Sequence, residues 1–169
     1  MRRFMLVLSA VFALAVLATP VDAQLKFGAQ ASLISGLEEA SALDGTFGLG
    51  ARALVDPPLS PVGGFVDATY YFPDNDVSYW TATAAAQLRL PLPVVRPYAL
   101  VGYQIRGVDV PSAGSDTDGG FVVGAGVQMN FMMSVFLEGT FEFNEDDPMA
   151  PDFDNDPIVI KGGVMFGGG

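Results

Sequence analysis

The sequence predicts an eight-stranded antiparallel up-and-down transmembrane β-barrel, all-β and preceded by a cleavable signal peptide. Three observations carry that expectation. Apolar and polar residues alternate with a period of two in eight segments, each about ten residues long, the length of a strand that crosses a bilayer at a tilt. The 169-residue chain is 50% hydrophobic yet has a formal net charge of -11, and beyond the N-terminus no apolar run reaches the roughly 20 residues of a membrane helix. The connections alternate between short turns and mostly longer acidic loops, the asymmetry of membrane barrels.

The N-terminus reads as an export signal. Arg2 and Arg3 form a charged start, Phe4 to Leu17 an apolar core, and Val21-Asp22-Ala23 a small-x-small cleavage site, so residues 1–23 are expected to be removed. Residues 24–169 then form one barrel domain.

The first strand is expected over Leu25 to Ile34, with Leu25, Phe27, Ala29, Ala31 and Leu33 on one face and Lys26, Gly28, Gln30 and Ser32 on the other. A loop with Glu38, Glu39 and Asp44 leads to a second strand, Thr46 to Val55, where Phe47, Leu49, Ala51, Ala53 and Val55 oppose Gly48, Gly50, Arg52 and Leu54. Pro57-Pro58-Leu59-Ser60-Pro61 is a turn, because proline interrupts helix and ladder alike. The third strand, Gly64 to Phe72, sets Val66, Ala68 and Tyr70 against Phe65, Asp67, Thr69 and Tyr71. After Pro73-Asp74-Asn75-Asp76, the fourth runs from Ser78 to Leu90, with Trp80, Ala82, Ala84, Ala86 and Leu88 opposite Thr81, Thr83, Ala85, Gln87 and Arg89.

Pro91-Leu92-Pro93 is another turn. The fifth strand, Arg96 to Arg106, alternates Pro97, Ala99, Val101, Tyr103 and Ile105 with Arg96, Tyr98, Leu100, Gly102, Gln104 and Arg106. Val108 to Gly119 reads as a polar loop. The sixth strand, Gly120 to Met129, carries Phe121, Val123, Ala125 and Val127 on its apolar face; Asn130 to Met133 is a short connection. The seventh spans Ser134 to Asn144, with Val135, Leu137, Gly139, Phe141 and Phe143 against Phe136, Glu138, Thr140 and Glu142. A long acidic loop, Glu145 to Pro157, precedes the eighth, Ile158 to Phe166. Closing the sheet removes edges that lipid would leave without hydrogen-bond partners.

Charge sorts with this pattern. Glu38, Glu39, Asp44, Asp74, Asp76, Asp109, Asp116, Asp118, Glu145, Asp146, Asp147, Asp152, Asp154 and Asp156 fall in the four loops of one end. Lys26, Arg52, Arg89, Arg96, Arg106 and Lys161 fall on the inward faces with Asp67, Glu138 and Glu142, so inward bases outnumber inward acids. Phe47, Tyr70, Phe72, Trp80, Tyr103, Phe121, Phe141 and Phe143 would band the loop end, and Phe27 and Phe166 the turn end, as aromatic rings favour membrane interfaces.

Val95-Arg96-Pro97-Tyr98-Ala99-Leu100-Val101-Gly102-Tyr103 and Gly120-Phe121-Val122-Val123-Gly124-Ala125-Gly126-Val127 resemble the fifth and sixth strands of the small eight-stranded outer-membrane proteins of the OmpA/OmpX-like, porin-family superfamily. The resemblance extends over nearly all of residues 24–169. It implies residence in the outer membrane of a double-membraned bacterium and insertion by the outer-membrane assembly machinery. The family ends on an aromatic residue that aids this recognition; here Phe166 is followed by Gly167-Gly168-Gly169.

Chemistry is restricted by what is missing. Histidine and cysteine counts are both 0, which removes His-based triads, disulfides and the usual zinc sites. Acyl-modifying barrels of similar size commonly rely on histidine, so no enzyme and no catalytic residue is expected. Asp152, Asp154 and Asp156 place carboxylates at alternate positions, an arrangement hard cations such as calcium accept, but the glycine of a full calcium loop is lacking and a solvated acidic loop is the simpler reading. The inward charges read as a packed plug of ion pairs, since eight strands enclose room only for side chains. The function expected is a structural or surface-interaction role with acidic outer loops, as a monomer in the lipid bilayer and without nucleic acid. A narrow ion or solute channel and a soluble secreted ligand-binding barrel are the alternatives.

Overall fold

The computed structural model describes residues 24–35, 45–57, 60–73, 78–90, 92–110, 114–144 and 158–167. The strands are β1 (Gln24–Ser35), β2 (Phe47–Asp56), β3 (Val62–Tyr71), β4 (Ser78–Arg89), β5 (Val95–Val110), β6 (Gly114–Asn130), β7 (Ser134–Asn144) and β8 (Ile158–Phe166). Each pairs antiparallel with the next, and β8 pairs with β1 to close the barrel. No helix among the described residues is long and apolar enough to cross a membrane; the crossing elements are strands. Residues 1–23, where the sequence places a signal peptide, lie outside the described residues.

The period of two becomes a two-sided wall. Along β4, Tyr79, Thr81, Thr83, Ala85, Gln87 and Arg89 are buried, while Trp80, Ala84, Ala86 and Leu88 are exposed. The ladder registers hold the inward residues level: Arg52 sits opposite Asp67, Thr83 opposite Gln104, and Glu138 opposite Lys161. Large apolar side chains, including Leu49, Val101, Leu137 and Ile160, are exposed on the outside. That reverses the arrangement of a soluble protein and matches a surface solvated by acyl chains.

The aromatic banding follows the register. Phe27 pairs with Phe166 near the end where β1 begins and β8 finishes. Tyr70 pairs with Trp80, and Tyr103 with Phe121, near the other end. Edge-on contacts join Tyr70 to Phe72, Tyr103 to Phe121 and Phe141 to Phe143, with ring centroids 5.3, 5.5 and 5.1 Å apart.

The structure departs from the sequence reading in one hairpin. The stretch expected as a polar loop, Val108 to Gly119, is largely strand: β5 runs on to Val110 and β6 begins at Gly114. Glycines permit this extension. Gly107 packs under the Trp80 indole and Gly119 against the Tyr103 hydroxyl, at positions where a Cβ would stand 2.5 and 2.3 Å from the nearest ring or hydroxyl atom. Several other bounds shift by one or two residues; among them, β3 starts at Val62, and β2 runs one residue further, to Asp56.

Candidate functional site

The inward faces bring the charges singled out in the sequence together. Arg52 projects from β2 across the lumen to Glu138 on β7, a strand that is not its neighbour. Its Nη1 donates to Glu138 Oε2 at 2.8 Å, and its Nη2 donates to Glu138 Oε1 at 2.5 Å and to Asp67 Oδ2 at 2.8 Å. The guanidinium lies between two rings, 4.0 Å from the Phe65 centroid and 4.3 Å from that of Phe136. Tyr98 OH donates to Glu138 Oε2 at 2.7 Å, and Lys161 Nζ stands 3.5 Å from Asp67 Oδ1. A planar cation suits this position because it can stack and make paired hydrogen bonds at once.

Sequence geometry makes room for the cluster. Gly163 leaves space beside Phe136 and Gly126 beside Tyr98; an added Cβ would come within 2.8 and 2.6 Å of those rings. Leu54, Phe65, Tyr98, Leu100, Val122, Phe136 and Met165 pack into one buried group around the charges.

Towards the loop end, Tyr71 and Tyr79 pack with Ile34 and Val159. Thr83 Oγ1 donates to Gln104 Oε1 at 3.0 Å. Arg106 and Asp118 form an ion pair of 2.7 Å at the lumen mouth, partly open to solvent.

Towards the turn end, Lys26 Nζ donates to Asp56 Oδ2 at 2.9 Å, and Arg89 Nη1 donates to Asp56 Oδ1. Asp56 was missing from the sequence reading, which ended the strand one residue early. The signal was present: Arg52, Leu54 and Asp56 continue one face up to Pro57. Its inclusion reduces the expected excess of inward base and balances the fully buried charges. Fully buried charges among the described residues are Lys26, Arg52, Arg89 and Lys161 against Asp56, Asp67, Glu138 and Glu142. Arg96 and Arg106 sit at opposite ends, part-exposed.

Other expected features are placed differently. Asp109 and Asp118 belong to the extended hairpin and are exposed. Glu38, Glu39, Asp44, Asp74, Asp76, Glu145, Asp146, Asp147, Asp152, Asp154 and Asp156 lie outside the described residues. Among the described residues no group of three histidine, cysteine or acidic side chains could hold a metal ion. A shallow groove of about 410 Å³ is lined by Ala125, Val127, Leu137, Gly139 and Ile160; it indents the outer wall, not the lumen.

The outer membrane protein beta-barrel domain family matches residues 4–166. The chain belongs to that family. Three solved barrels of similar fold support the assignment at the level of architecture. The N-terminal β-barrel domain of Pseudomonas aeruginosa OprF aligns with a TM-score of 0.66 and 13% identity, over 85% of this chain and 96% of that one. Neisserial surface protein A aligns with a TM-score of 0.55 and 17% identity, over 85% and 96%. Ail, the attachment invasion locus protein of Yersinia pestis, gives 0.53 and 14%, over 86% and 95%. No curated protein matches the sequence. As an outer membrane protein β-barrel, the chain has a lipid-facing wall, and the short-turn end corresponds to the periplasmic side of such barrels.

Proposed function

We propose that this outer-membrane barrel is a non-enzymatic, non-conducting protein that stabilises the membrane and presents an acidic face outside the cell. One observation carries the reading: Arg52, Glu138 and Asp67 bridge the lumen between the Phe65 and Phe136 rings. A paired guanidinium held by three hydrogen bonds to carboxylates and two aromatic faces obstructs the axis of a barrel whose bore already admits only side chains. The acidic loop residues supply the outer face and repel anions there.

The soluble carrier of an apolar ligand needs the opposite arrangement, with its greasy side inward. Here Phe27, Leu49, Val101 and Leu137 point outward. The narrow channel is tested by planar-bilayer recording: the expected result is no unitary current, and regular conductance steps would overturn the non-conducting reading. Cell fractionation with boiled and unboiled SDS gels tests placement. Heat-modifiable migration of protein from the membrane pellet is expected; a soluble, detergent-independent monomer would refute it.

The same reading has the protein exported on its signal peptide, inserted by the assembly machinery, and acting as a monomer with no nucleic-acid partner. Asp152, Asp154 and Asp156 act as a solvated acidic loop. Calcium titration of the folded barrel should therefore give no saturable signal at millimolar calcium, and Asp154→Ala should titrate identically; a saturable signal lost in Asp154→Ala would instead establish a calcium site.

A further inference from the structure

The fully buried charges among the described residues balance in number but not in position. Lys26, Arg89 and Arg96 converge on the short-turn end, where Asp56 is the one buried carboxylate among the described residues and pairs with Lys26 and Arg89. Arg96 shares this inward face: it stands two residues before buried Tyr98 and pairs in register with buried Gln128. Its Nε donates to Leu92 O at 3.3 Å, and among the described residues no carboxylate lies within ion-pair distance of it. Buried donors on the two neighbouring strands, β4 and β6, lack partners as well. Gln87 Nε2, Arg89 Nε and Asn130 Nδ2 are enclosed and have no acceptor among the described residues. Asn130 directs its oxygen elsewhere, accepting from Gln128 Nε2 at 2.8 Å and from Ser134 Oγ at 2.6 Å. Ser134 in turn lies 3.5 Å from Lys26 Nζ.

A cationic mouth with spare N–H groups is complementary to an anion rich in acceptor oxygens. The surroundings narrow its class. Arg96 bonds the backbone of Leu92, and Asn130 N bonds Val94 O at 3.3 Å, so two apolar turns flank the same mouth. Leu92, Val94 and Met133 are about half exposed, Phe131 is 70% exposed and Met132 fully so. Apolar tips around paired guanidinium groups suit a phosphate that stands at a lipid interface, since arginine matches phosphate geometry and large side chains of this kind favour the apolar side of that interface.

We propose that the periplasmic mouth of this barrel is a phosphate-binding site formed by Arg96, Arg89 and Lys26 with Gln87 and Asn130. The phosphate is either the headgroup of an anionic phospholipid in the inner leaflet or a free phosphate; the recognition chemistry is the same. The site does not depend on whether the lumen conducts.

The test uses the whole barrel refolded in an alkyl maltoside, which carries no phosphate of its own. One arm titrates inorganic phosphate and follows binding by calorimetry. The other adds phosphatidylglycerol and counts retained lipid by native mass spectrometry. One phosphate-bearing molecule per barrel is expected in at least one arm, and which arm responds identifies the source. Arg96 makes no ion pair among the described residues, so Arg96→Gln should keep the fold and weaken that binding by on the order of tenfold or more. Arg106→Gln at the opposite mouth should leave it unchanged. No binding in either arm, or equal binding by wild type and Arg96→Gln, would overturn the proposal.

Discussion

Arg52 and Glu138 are joined by two hydrogen bonds, 2.8 and 2.5 Å long, across the barrel from strands that do not touch. The pair lies 86 residues apart in sequence and is fully buried, so its members depend on each other. Arg52→Met strands Glu138 and leaves Asp67 with only Lys161. The expected loss is ~3–5 kcal/mol, the usual cost of an orphaned buried charge. Adding Glu138→Met should recover at least about 1 kcal/mol of it, because coupled partners do not contribute additively. Urea unfolding of the lipid-reconstituted barrel measures both.

The outer wall should tolerate charge according to height. Ala125 lies on the exposed face between the aromatic bands, whereas Leu90 lies beyond β4 at the turn end. Ala125→Arg is expected to cost about 2–4 kcal/mol and Leu90→Arg at most about 1. Equal costs, measured by equilibrium unfolding from vesicles, would contradict the placement of the lipid-facing belt.

Two glycines should respond in opposite directions. A Cβ on inward-facing Gly28 would lie 2.0 Å from Val164 O, a backbone atom that cannot turn aside. Gly28→Ala should destabilise by roughly 1–3 kcal/mol. At Gly139, on the outer wall, a Cβ meets nothing within 4 Å. There Gly139→Ala should stabilise by about 0.5–1 kcal/mol, through the smaller backbone freedom of alanine in the unfolded chain. The same unfolding measurement reads both.

Trp80 is the single tryptophan of the chain, and it sits in the outer aromatic band opposite Tyr70, 41% exposed. Lipids brominated near the glycerol end of the acyl chain should quench its fluorescence more strongly than lipids brominated near the chain terminus. The reverse order would place this ring at the bilayer centre and contradict the assigned height of the band.

The barrel was legible in the sequence because membrane strands must alternate, and β4 shows it plainly: Thr81, Thr83, Gln87 and Arg89 point inward between outward Trp80, Ala84, Ala86 and Leu88. The inward charges were legible for the same reason: Arg52, Asp67, Arg89, Glu138 and Lys161 all break apolar runs on one face. What was not legible is instructive. Val108 to Gly119 reads as a loop because aspartate, serine and glycine crowd it, yet cross-strand pairing of Arg106 with Asp118 and the glycine–aromatic contacts hold it as a ladder. Asp56 falls between the expected strand end at Val55 and the proline turn; the ladder register, which sets it opposite Gln24, carries the face of Arg52 and Leu54 one step further and makes it a lumen residue. Partner choice within the lumen was hidden as well. Alternation says which way a side chain points, but the stagger of β2 against β7 decides that Arg52 meets Glu138.

The ladder joining Phe27 to Phe166 and Ser35 to Ile158 ties together the two extremes of the polypeptide, whereas every other ladder links consecutive strands. Seven of the eight seams can therefore zip locally, hairpin after hairpin, at small entropic cost. The last must wait until β8 exists, since closure over so long a span is the slow event in an otherwise local topology. Until then the assembling chain is an open ribbon with two unsatisfied margins, and the arrival of the nine residues of β8 turns that ribbon into a cylinder.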